Sequence, residues 1–311
     1  MEGKKDMEVT IGTRGSLLAV TQATWVKKEL EKNFTGLRVN LRKIKTTGDK
    51  ILDVPLAKVG GKGLFVKEIE DALLRGEVDI AVHSMKDLPA DIPQGLMIAA
   101  VTFREDPSDV LISREGKRLS DLPFEARIGT SSLRRISQLL HFRPDLKMLQ
   151  LRGNLDTRLK KLDKGDVDAI ILAAAGVKRM GWESRITEHI THDISLPATG
   201  QGALGIETRE GDTSINGIVA RLNHPETSRC VMAERTFLGR LQGGCQVPIA
   251  ALARIEDGQM VMDGLVGSLD GKRMVRDRIY GDQMEHEQIG LMLAERLLSL
   301  GADRILKEIY G

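Results

Sequence analysis

Two short stretches, Ile11-Gly12-Thr13 and Ile128-Gly129-Thr130, repeat one pattern in two parts of the chain. Each ends a strand-like run, and each is followed by serines and a predicted helix. A second pair, Gly76-Glu77-Val78-Asp79 and Gly165-Asp166-Val167-Asp168, leads from a predicted helix into a buried strand. Repeated units of this kind predict two similar α/β lobes that bind ligands at the carboxyl ends of their strands. The second pair is also a common helix-to-strand turn, so by itself it would not require a repeat.

The composition is that of a globular protein with about two domains. Of the 311 residues, 41% are apolar and 29% are charged, which excludes a disordered chain. The longest apolar stretch, residues 169–177, is far shorter than the roughly 20 residues that cross a bilayer. The N-terminal residues have no signal-peptide core, and the two cysteines form no Cys-x-x-Cys pair. We therefore expect a cytoplasmic protein without a membrane segment.

The C-terminal part of the chain follows a different pattern. Residues 260–266 and 274–280 are strand-like, and Asp270-Gly271 between them is a hairpin signal. Residues 291–300 and 305–310 are predicted helices. This order of elements predicts a separate α+β module.

Three motifs for nucleotide or metal binding lack the context that their chemistry requires. Gly200-Gln201-Gly202-Ala203-Leu204-Gly205 matches the dinucleotide fingerprint, but it does not stand between a strand and a helix. In Gly60-Gly61-Lys62-Gly63 the lysine is followed by glycine, where a P-loop needs serine or threonine. His189 and His192 have no third ligand near them in the sequence. We therefore predict neither a nucleotide site nor a metal site.

Basic residues in the predicted turns are the first functional signal. Helix N-termini with serine and threonine hydroxyls favour anions, and guanidinium groups fit planar carboxylates or phosphates. One such arginine would more often be an ordinary surface residue. Several of them at the turns of two lobes predict a ligand with several negative charges. The basic residues concerned are Arg14, Lys58, Lys62, Arg134, Arg135, Arg152 and Arg158.

Asp87 and Cys245 are the candidate reactive residues. Asp87 ends His83-Ser84-Met85-Lys86-Asp87 at the carboxyl end of a buried strand, where basic neighbours would keep it ionised. Such a carboxylate can stabilise a developing cation and relay a proton, or it can pair with an arginine and only hold structure. Glycines and Pro248 around Cys245 predict an exposed, reactive thiol, although a lone cysteine is more often a small buried residue. Cys230, within a predicted helix, is expected to be buried.

Seven segments together resemble the porphobilinogen deaminase (hydroxymethylbilane synthase) family. They stand in the family's order, span nearly the whole chain, and show no departure at a position that the family uses for chemistry. Thr199 occupies a position where a valine is common. The segments are Thr13-Arg14-Gly15-Ser16, residues 56–65, Val82-His83-Ser84-Met85-Lys86-Asp87, Gly129-Thr130-Ser131-Ser132-Leu133-Arg134-Arg135, Leu151-Arg152-Gly153-Asn154, residues 196–202, and Gly243-Gly244-Cys245-Gln246-Val247-Pro248.

The resemblance implies a fold of two α/β lobes, like those of periplasmic solute-binding proteins, plus a smaller α+β C-terminal domain. The first lobe would comprise residues 1–102 and 198–220, and the second lobe residues 103–197. The third domain, residues 221–311, would carry the cofactor-attachment cysteine. The chain would therefore leave the first lobe near Val101 and return to it after Pro197.

The resemblance also implies a transferase of tetrapyrrole biosynthesis. Four porphobilinogen molecules would be joined head to tail into linear hydroxymethylbilane, with loss of four ammonia. A dipyrromethane cofactor, linked to Cys245 by a thioether, would prime the chain, and no metal would be needed. Asp87 would hydrogen-bond pyrrole N–H groups, stabilise the azafulvene cation and assist proton transfers. Each pyrrole carries an acetate and a propionate, which agrees with the polyanion predicted from the basic turns.

Carried over by motif, the remaining site residues would bind carboxylates and rings of the cofactor or the substrate. The cofactor residues, besides Cys245 and Asp87, would be Ser16, Lys86, Thr130, Ser131, Ser132, Arg134, Arg135, Arg158 and Gly176. The substrate residues would be Arg14, Gln22, Lys58, Lys62, Phe65, Arg152, Arg179 and Gln201.

Two rival functions use the same basic turns. One is a non-catalytic anion receptor, although the absence of an export signal and the presence of Asp87 and Cys245 count against it. The other is a nucleic-acid binder, although a net charge of +2 and 3% aromatic residues give little support for it. We expect a monomer with porphobilinogen as its small-molecule partner and with no nucleic-acid or membrane partner.

Overall fold

The computed structural model describes residues 7–50, 63, 66–243 and 247–310, with the backbone alone at Asp49 and Lys50. The strands are β1 Met7–Arg14, β2 Leu37–Ile44, β3 Ile80–Ser84, β4 Leu96–Val101, β5 Asp109–Ser113, β6 Arg127–Gly129, β7 Lys147–Leu149, β8 Ala169–Ala173, β9 Glu188–Ile190, β10 Leu204–Arg209, β11 Ile249–Glu256, β12 Gln259–Gly267 and β13 Met274–Asp282. The helices are α1 Leu17–Asn33, α2 Thr47–Lys50, α3 Lys67–Leu74, α4 Leu133–Phe142, α5 Leu155–Asp163, α6 Ala174–Arg179, α7 Thr213–Val219, α8 Pro225–Arg240, α9 His286–Leu297 and α10 Asp303–Tyr310.

The first sheet has the order β2-β1-β3-β10-β4. Its first three strands are parallel, whereas β10 runs antiparallel to both β3 and β4. Buried Val9 and Ile11 of β1 pack with Val26 and Leu30 of α1, so the apolar face of that helix covers the sheet. The return of the chain to the first lobe was expected, and β10 is the strand that makes it.

The second sheet has the order β7-β6-β8-β5-β9. β6 is parallel to β7 and β8, and β5 is antiparallel to β8 and β9. This is the strand order and the strand direction of the first sheet. The predicted repeat of two similar α/β lobes is therefore confirmed.

The C-terminal module is a three-stranded antiparallel sheet with helices packed on it. The expected hairpin joins β12 and β13. Gly271 of its turn has φ of 71°, and a Cβ there would lie 2.5 Å from the backbone oxygen of Ser137. Only glycine fits this close approach. The predicted class, two α/β lobes with a smaller α+β domain, is confirmed.

The chain divides into two compact units. It leaves the unit of the first sheet after Arg104, and Ala203–Ser228 belongs to that unit again. The second unit contains Glu105–Gly202 and Arg229–Gly311, and therefore both the second lobe and the C-terminal module. Among the residues that the structure describes, no helix is long and apolar enough to span a bilayer.

Candidate active site

Asp87 lies at the carboxyl end of β3, in a 3-10 turn over Met85–Asp87. Met85 is buried and donates its backbone N–H to Ala203 at 3.1 Å. Gly205 has no side chain where the Met85 thioether lies, so the turn can settle against β10. Asp87 is exposed and Lys86 is half-buried. The buried methionine thus anchors a turn that presents a carboxylate to solvent.

Arg14, Ser16 and Gln22 come from the neighbouring strand and its helix. β1 is parallel to β3, and Ile11 pairs with Ile80. The carboxyl end of β1, at Arg14, therefore lies at the same edge of the sheet as the carboxyl end of β3. Ser16 caps α1, because its Oγ accepts the Ala19 N–H at 3.4 Å. Gln22 is buried and donates from Nε2 to Ser84 Oγ at 3.1 Å. The expected substrate residue Gln22 is thus hydrogen-bonded to the end of β3.

Thr130, Ser131 and Ser132 form the equivalent turn in the second lobe, between β6 and α4. Thr130 is buried and its Oγ1 accepts the Ser132 N–H at 3.2 Å. Ser131 Oγ donates to the Leu151 carbonyl at 2.8 Å. Ser132 takes the N-cap position of α4, but its side chain makes no cap hydrogen bond. The first turn of α4 contains no acidic residue, so its dipole favours an anion at this end.

Arg134 and Arg135 are buried and share one carboxylate, that of Asp109. Arg134 Nη1 lies 2.8 Å from Asp109 Oδ2, and Arg135 Nη2 lies 2.7 Å from Asp109 Oδ1. Burial alone would raise the pKa of Asp109, but the two guanidinium charges hold it well below its usual range. The carboxylate therefore neutralises one of the two positive charges, and the cluster keeps a net charge of about +1.

Gln201 and the segment before it complete this cluster, whose backbone and side-chain groups come from three parts of the second unit. Gln201 is buried, and its Nε2 donates to Asp109 Oδ1 at 2.9 Å. Ser195 Oγ donates to Asp109 Oδ2 at 2.8 Å. Arg134 Nη1 also donates to the Leu196 carbonyl at 2.5 Å. The structure thus places Gln201, expected at the substrate, among buried groups around Asp109.

The remaining predicted site arginines of the second lobe are Arg158, Arg179 and Arg152. Arg158 Nε donates to the Gly153 carbonyl at 2.8 Å. Arg179 Nη2 donates to the Gly202 carbonyl at 2.6 Å, and burial lowers its pKa to about 10. The half-exposed guanidinium of Arg152 makes no hydrogen bond or ion pair with the residues described. Gly176 is buried in α6, the helix that also carries Arg179.

Four predicted site residues lie outside the described residues: Lys58, Lys62, Phe65 and Cys245. Cys230 is described, and it is buried in α8, as expected. The described chain holds no group of three or more side chains suited to a metal ion. His189, considered for such a site, pairs with Asp106 at 3.2 Å.

Sequence reasoning missed the buried acids, among them Asp109, Glu207 and Glu70. Asp109 stands directly before the apolar run of residues 110–112, and Glu207 directly after residues 203–206. A charged residue next to a run that forms a buried strand needs a partner of its own. This signal was present in the sequence, but the partners are distant along the chain.

The first unit presents an exposed acid, Asp87, and the second unit has a helix N-terminus with excess positive charge. Each feature by itself is typical of an enzyme that acts on an anionic ligand. The comparisons with known proteins agree. Residues 9–217 match the family model "Porphobilinogen deaminase, dipyromethane cofactor binding domain", and residues 228–299 match "Porphobilinogen deaminase, C-terminal domain". The chain belongs to the porphobilinogen deaminase family.

Individual relatives cover almost the full length. The chain is 56% identical to porphobilinogen deaminase from Pelobacter propionicus, over 97% of each chain. It is also 56% identical to porphobilinogen deaminase from Geobacter metallireducens, over 97% of this chain and 95% of that one. Among solved structures, a probable amino-acid ABC transporter extracellular-binding protein from Bacillus subtilis matches 70% of this chain and 90% of its own, with 12% identity and a TM-score of 0.43.

Proposed function

We propose that this chain is a transferase that joins four porphobilinogen molecules head to tail into linear hydroxymethylbilane, with loss of four ammonia, in tetrapyrrole biosynthesis. Its membership in the family supports the reaction. The observation that carries the proposal is the pairing of chemistries: exposed Asp87 at the end of β3, and excess positive charge at the start of α4. The first suits a developing cation, and the second suits the carboxylates of pyrrole rings.

The described residues fit a dipyrromethane, which is the cofactor of the matched family domain. Each of its rings carries two carboxylates, and the buried cluster has one positive charge more than Asp109 neutralises. The Ser132 hydroxyl, which makes no cap hydrogen bond, and the first turn of α4 add donors at the same place. Thr130, Ser131, Arg134, Arg135, Arg158 and Gly176 would hold the group in the second lobe, with Ser16, Lys86 and Asp87 from the first. Bound through Cys245, the dipyrromethane supplies the pyrrole carbon to which the first substrate is joined.

Asp87 would act on the substrate ring during loss of the amine. Its exposed carboxylate accepts a hydrogen bond from a pyrrole N–H and stabilises the positive charge that develops on that ring. The same oxygen atoms can hold the proton that the ring carbon releases when the new bond forms. The buried Met85 keeps this carboxylate in place without competing for it.

Substrate carboxylates would be bound by the basic residues of both lobes. The half-exposed guanidinium of Arg152 has no described partner, so it can form a bidentate pair with a carboxylate. Arg14 and Arg179 would add charge, and Gln22 and Gln201 would support the site through the hydrogen bonds described. Lys58, Lys62 and Phe65 complete the proposed substrate set.

The remaining expectations belong to the same proposal. We infer a cytoplasmic monomer with no nucleic-acid or membrane partner. We also propose that the chain has three domains: residues 1–102 with 198–220, residues 103–197, and residues 221–311.

The function is tested with porphobilinogen and one pair of cysteine variants. The native chain should consume porphobilinogen, and acid and oxidation should turn its product into coloured porphyrin. It should weigh more than the 34.3 kDa of its sequence by two pyrrole units, with the extra mass on Cys245. Cys245→Ser should lose the adduct, because a hydroxyl is a far weaker nucleophile than a thiolate. Cys230→Ala, the matched control, should keep it. An active chain with unmodified Cys245 would contradict the proposal.

The role of Asp87 is tested by a substitution that removes its negative charge and nearly preserves the shape of its side chain. Asp87→Asn should fold and lose nearly all turnover, because the negative charge is gone. Asp87→Glu should keep slight turnover, since a displacement near 1 Å can cost on the order of a hundredfold. If Asp87 were only structural, Asn would be tolerated and Asp87→Ala would lower the melting temperature. Turnover and thermal melting of the three variants distinguish these outcomes.

A further inference from the structure

Three titratable side chains are buried together on one face of the first sheet: Glu70 of α3, His83 of β3 and Glu207 of β10. His83 Nε2 lies 3.1 Å from Glu207 Oε2. Gly205 pairs with His83 and Glu207 pairs with Ala81, so His83 and Glu207 are diagonal neighbours on the same face. α3, which carries Glu70, packs against both strands. None of these three residues has a task in the reaction proposed above.

The cluster contains two carboxyl groups for one imidazole. Oε1 of Glu70 and Oε1 of Glu207 are buried and have no hydrogen-bond partner in the described part of the chain. Two buried carboxylates side by side repel each other, and each would lose hydration without compensation. Burial first, and the charge of Glu207 second, raise the pKa of Glu70 to about 7. A proton on Glu70 removes the repulsion and gives the cluster a second donor.

The charges that face Glu70 come from three elements. Glu207 of β10 and Asp71 of α3 favour the protonated form, and His83 of β3 opposes it. Arg209 of β10 is directed elsewhere, because its guanidinium binds the Leu73 carbonyl and the carboxylates of Asp79 and Asp212. β1 and β4 also pack against α3, but no charged side chain of theirs described here acts on Glu70.

The cluster includes the strand residue that lies two positions before the turn that carries Asp87. His83 is followed by Ser84, whose side chain points to the opposite face of β3 and accepts the hydrogen bond of Gln22. The end of β3 is thus held by Gln22 on one face and by the His83–Glu207 pair on the other. A second negative charge at Glu70 would compete for His83 and repel Glu207, and so disturb the strand end.

We propose that the active protein keeps one proton on Glu70, and that this proton positions the Ser84–Asp87 segment by leaving His83 paired with Glu207. Glu70, His83 and Glu207 are then positioning residues that act through Asp87. The inference rests on the proposed function and adds a pH dependence to it: turnover falls in alkaline solution as Glu70 ionises.

The test compares the native chain with Glu70→Gln, which keeps the shape of protonated Glu70 and cannot ionise. The ratio of the variant's kcat to the native kcat should rise by at least about tenfold between about pH 6 and about pH 8.5, since the protonated fraction falls about tenfold per pH unit above the pKa. Glu226→Gln, which removes an exposed carboxylate from α8, should keep a constant ratio. A constant ratio for Glu70→Gln would overturn the positioning role.

A second measurement detects the proton without turnover. The infrared carbonyl band of a protonated carboxyl group should be present in the native chain near pH 6, vanish in alkaline solution, and be missing from Glu70→Gln at both pH values. Absence of a titrating band would contradict the proposal that Glu70 carries a proton, and it would leave the proposed reaction unaffected. Failure of the native chain to consume porphobilinogen would overturn the reaction and the positioning role, while the band would still report the proton.

Discussion

The two five-stranded sheets have the same strand order, and in each the strand in fourth position carries a fully buried carboxylate. On β10 this carboxylate is Glu207, whose neighbours are His83 and a second acid, Glu70. On β5 it is Asp109, whose neighbours are Arg134 and Arg135. One topology thus holds a cluster rich in negative charge in the first lobe and one rich in positive charge in the second.

This difference separates the pH responses of the two lobes. Burial first, and the negative charge of Glu207 second, raise the pKa of Glu70 to about 7, so this cluster changes its charge near neutrality. The arginines lower the pKa of Asp109, so that cluster keeps its charge through the same range. A repeated fold therefore fixes where a buried charge lies, and the side chains around it decide whether that charge is constant or switches.

The largest expected effect is that of Asp109→Asn. It leaves two buried guanidinium groups without a counter-charge, and breaking a buried ion pair in this way costs about 3–5 kcal/mol. Thermal and urea unfolding of the second lobe should show this loss. Asp163→Asn is the matched control, because it breaks an exposed pair with Arg185 and should cost no more than about 1 kcal/mol. Equal effects of the two substitutions would remove the distinction between a buried and a surface pair.

The next effect depends on pH and belongs to the first lobe. The pKa of Glu70 rises from 4.5 to about 7 on folding, so the unfolded chain releases this proton first as the pH increases. Stability is therefore lost between pH 4.5 and about 7, and the loss reaches about 3 kcal/mol above that range. The Glu70→Gln variant does not lose stability in this way, because its amide does not ionise. Its melting temperature relative to the native chain should rise from acid to alkaline solution, and a difference independent of pH would contradict the assignment.

The smallest effects come from two glutamines at equivalent places in the lobes. Gln22 follows Ser16 by six residues and Gln138 follows Ser132 by six, and both side chains are buried. Gln138 accepts the Leu196 N–H at 2.7 Å and donates to the Leu196 carbonyl at 3.0 Å. Gln138→Ala should lower the free energy of unfolding by about 2 kcal/mol, since it leaves the buried Leu196 N–H without a partner, while the Leu196 carbonyl keeps its hydrogen bond from Arg134.

Gln22→Ala should lower the free energy of unfolding by about 1 kcal/mol, because it removes one hydrogen bond, the one to the partly exposed Ser84. It should also slow turnover about fivefold through the end of β3, whereas Gln138→Ala should act chiefly on stability. Urea midpoints and initial rates of the two variants check this order. A larger loss of stability from Gln22→Ala than from Gln138→Ala would reverse the comparison.

The sequence predicted the parts of the fold that depend on local pattern. Repeated strand–turn–helix motifs identified two lobes. The serines after each motif marked the start of a predicted helix, and Ser16 caps α1, because a serine before an apolar periodic run is a local signal. The hairpin at Asp270-Gly271 was predicted for the same reason. The place of β10 in the first sheet followed from the family resemblance and not from pattern, since its neighbours β3 and β4 lie more than a hundred residues earlier in the chain.

The site was predicted less completely, because burial depends on contacts between distant residues. Arg134 and Arg135 were predicted to bind an anion, but the buried carboxylate of Asp109, with which both form ion pairs, was not predicted. Its other partners, Ser195 and Gln201, are 86 and 92 residues away in sequence. Glu70 stands in an ordinary helical pattern, and nothing local shows that its neighbours in space are His83 and Glu207.

The late position of β10 in the chain also affects the order in which the protein can fold on the ribosome. All strands of the second sheet lie between Asp109 and Ile190, so that sheet can close as soon as this stretch has emerged. The first sheet begins at Met7 but lacks its fourth strand until Arg209 has been synthesised. Until then, the edges of β3 and β4 that β10 will cover remain unpaired, and unpaired strand edges invite aggregation. Of the two lobes, the first is therefore begun earlier but completed later. The nascent chain depends on β10 to cover the strand edges through which it could aggregate.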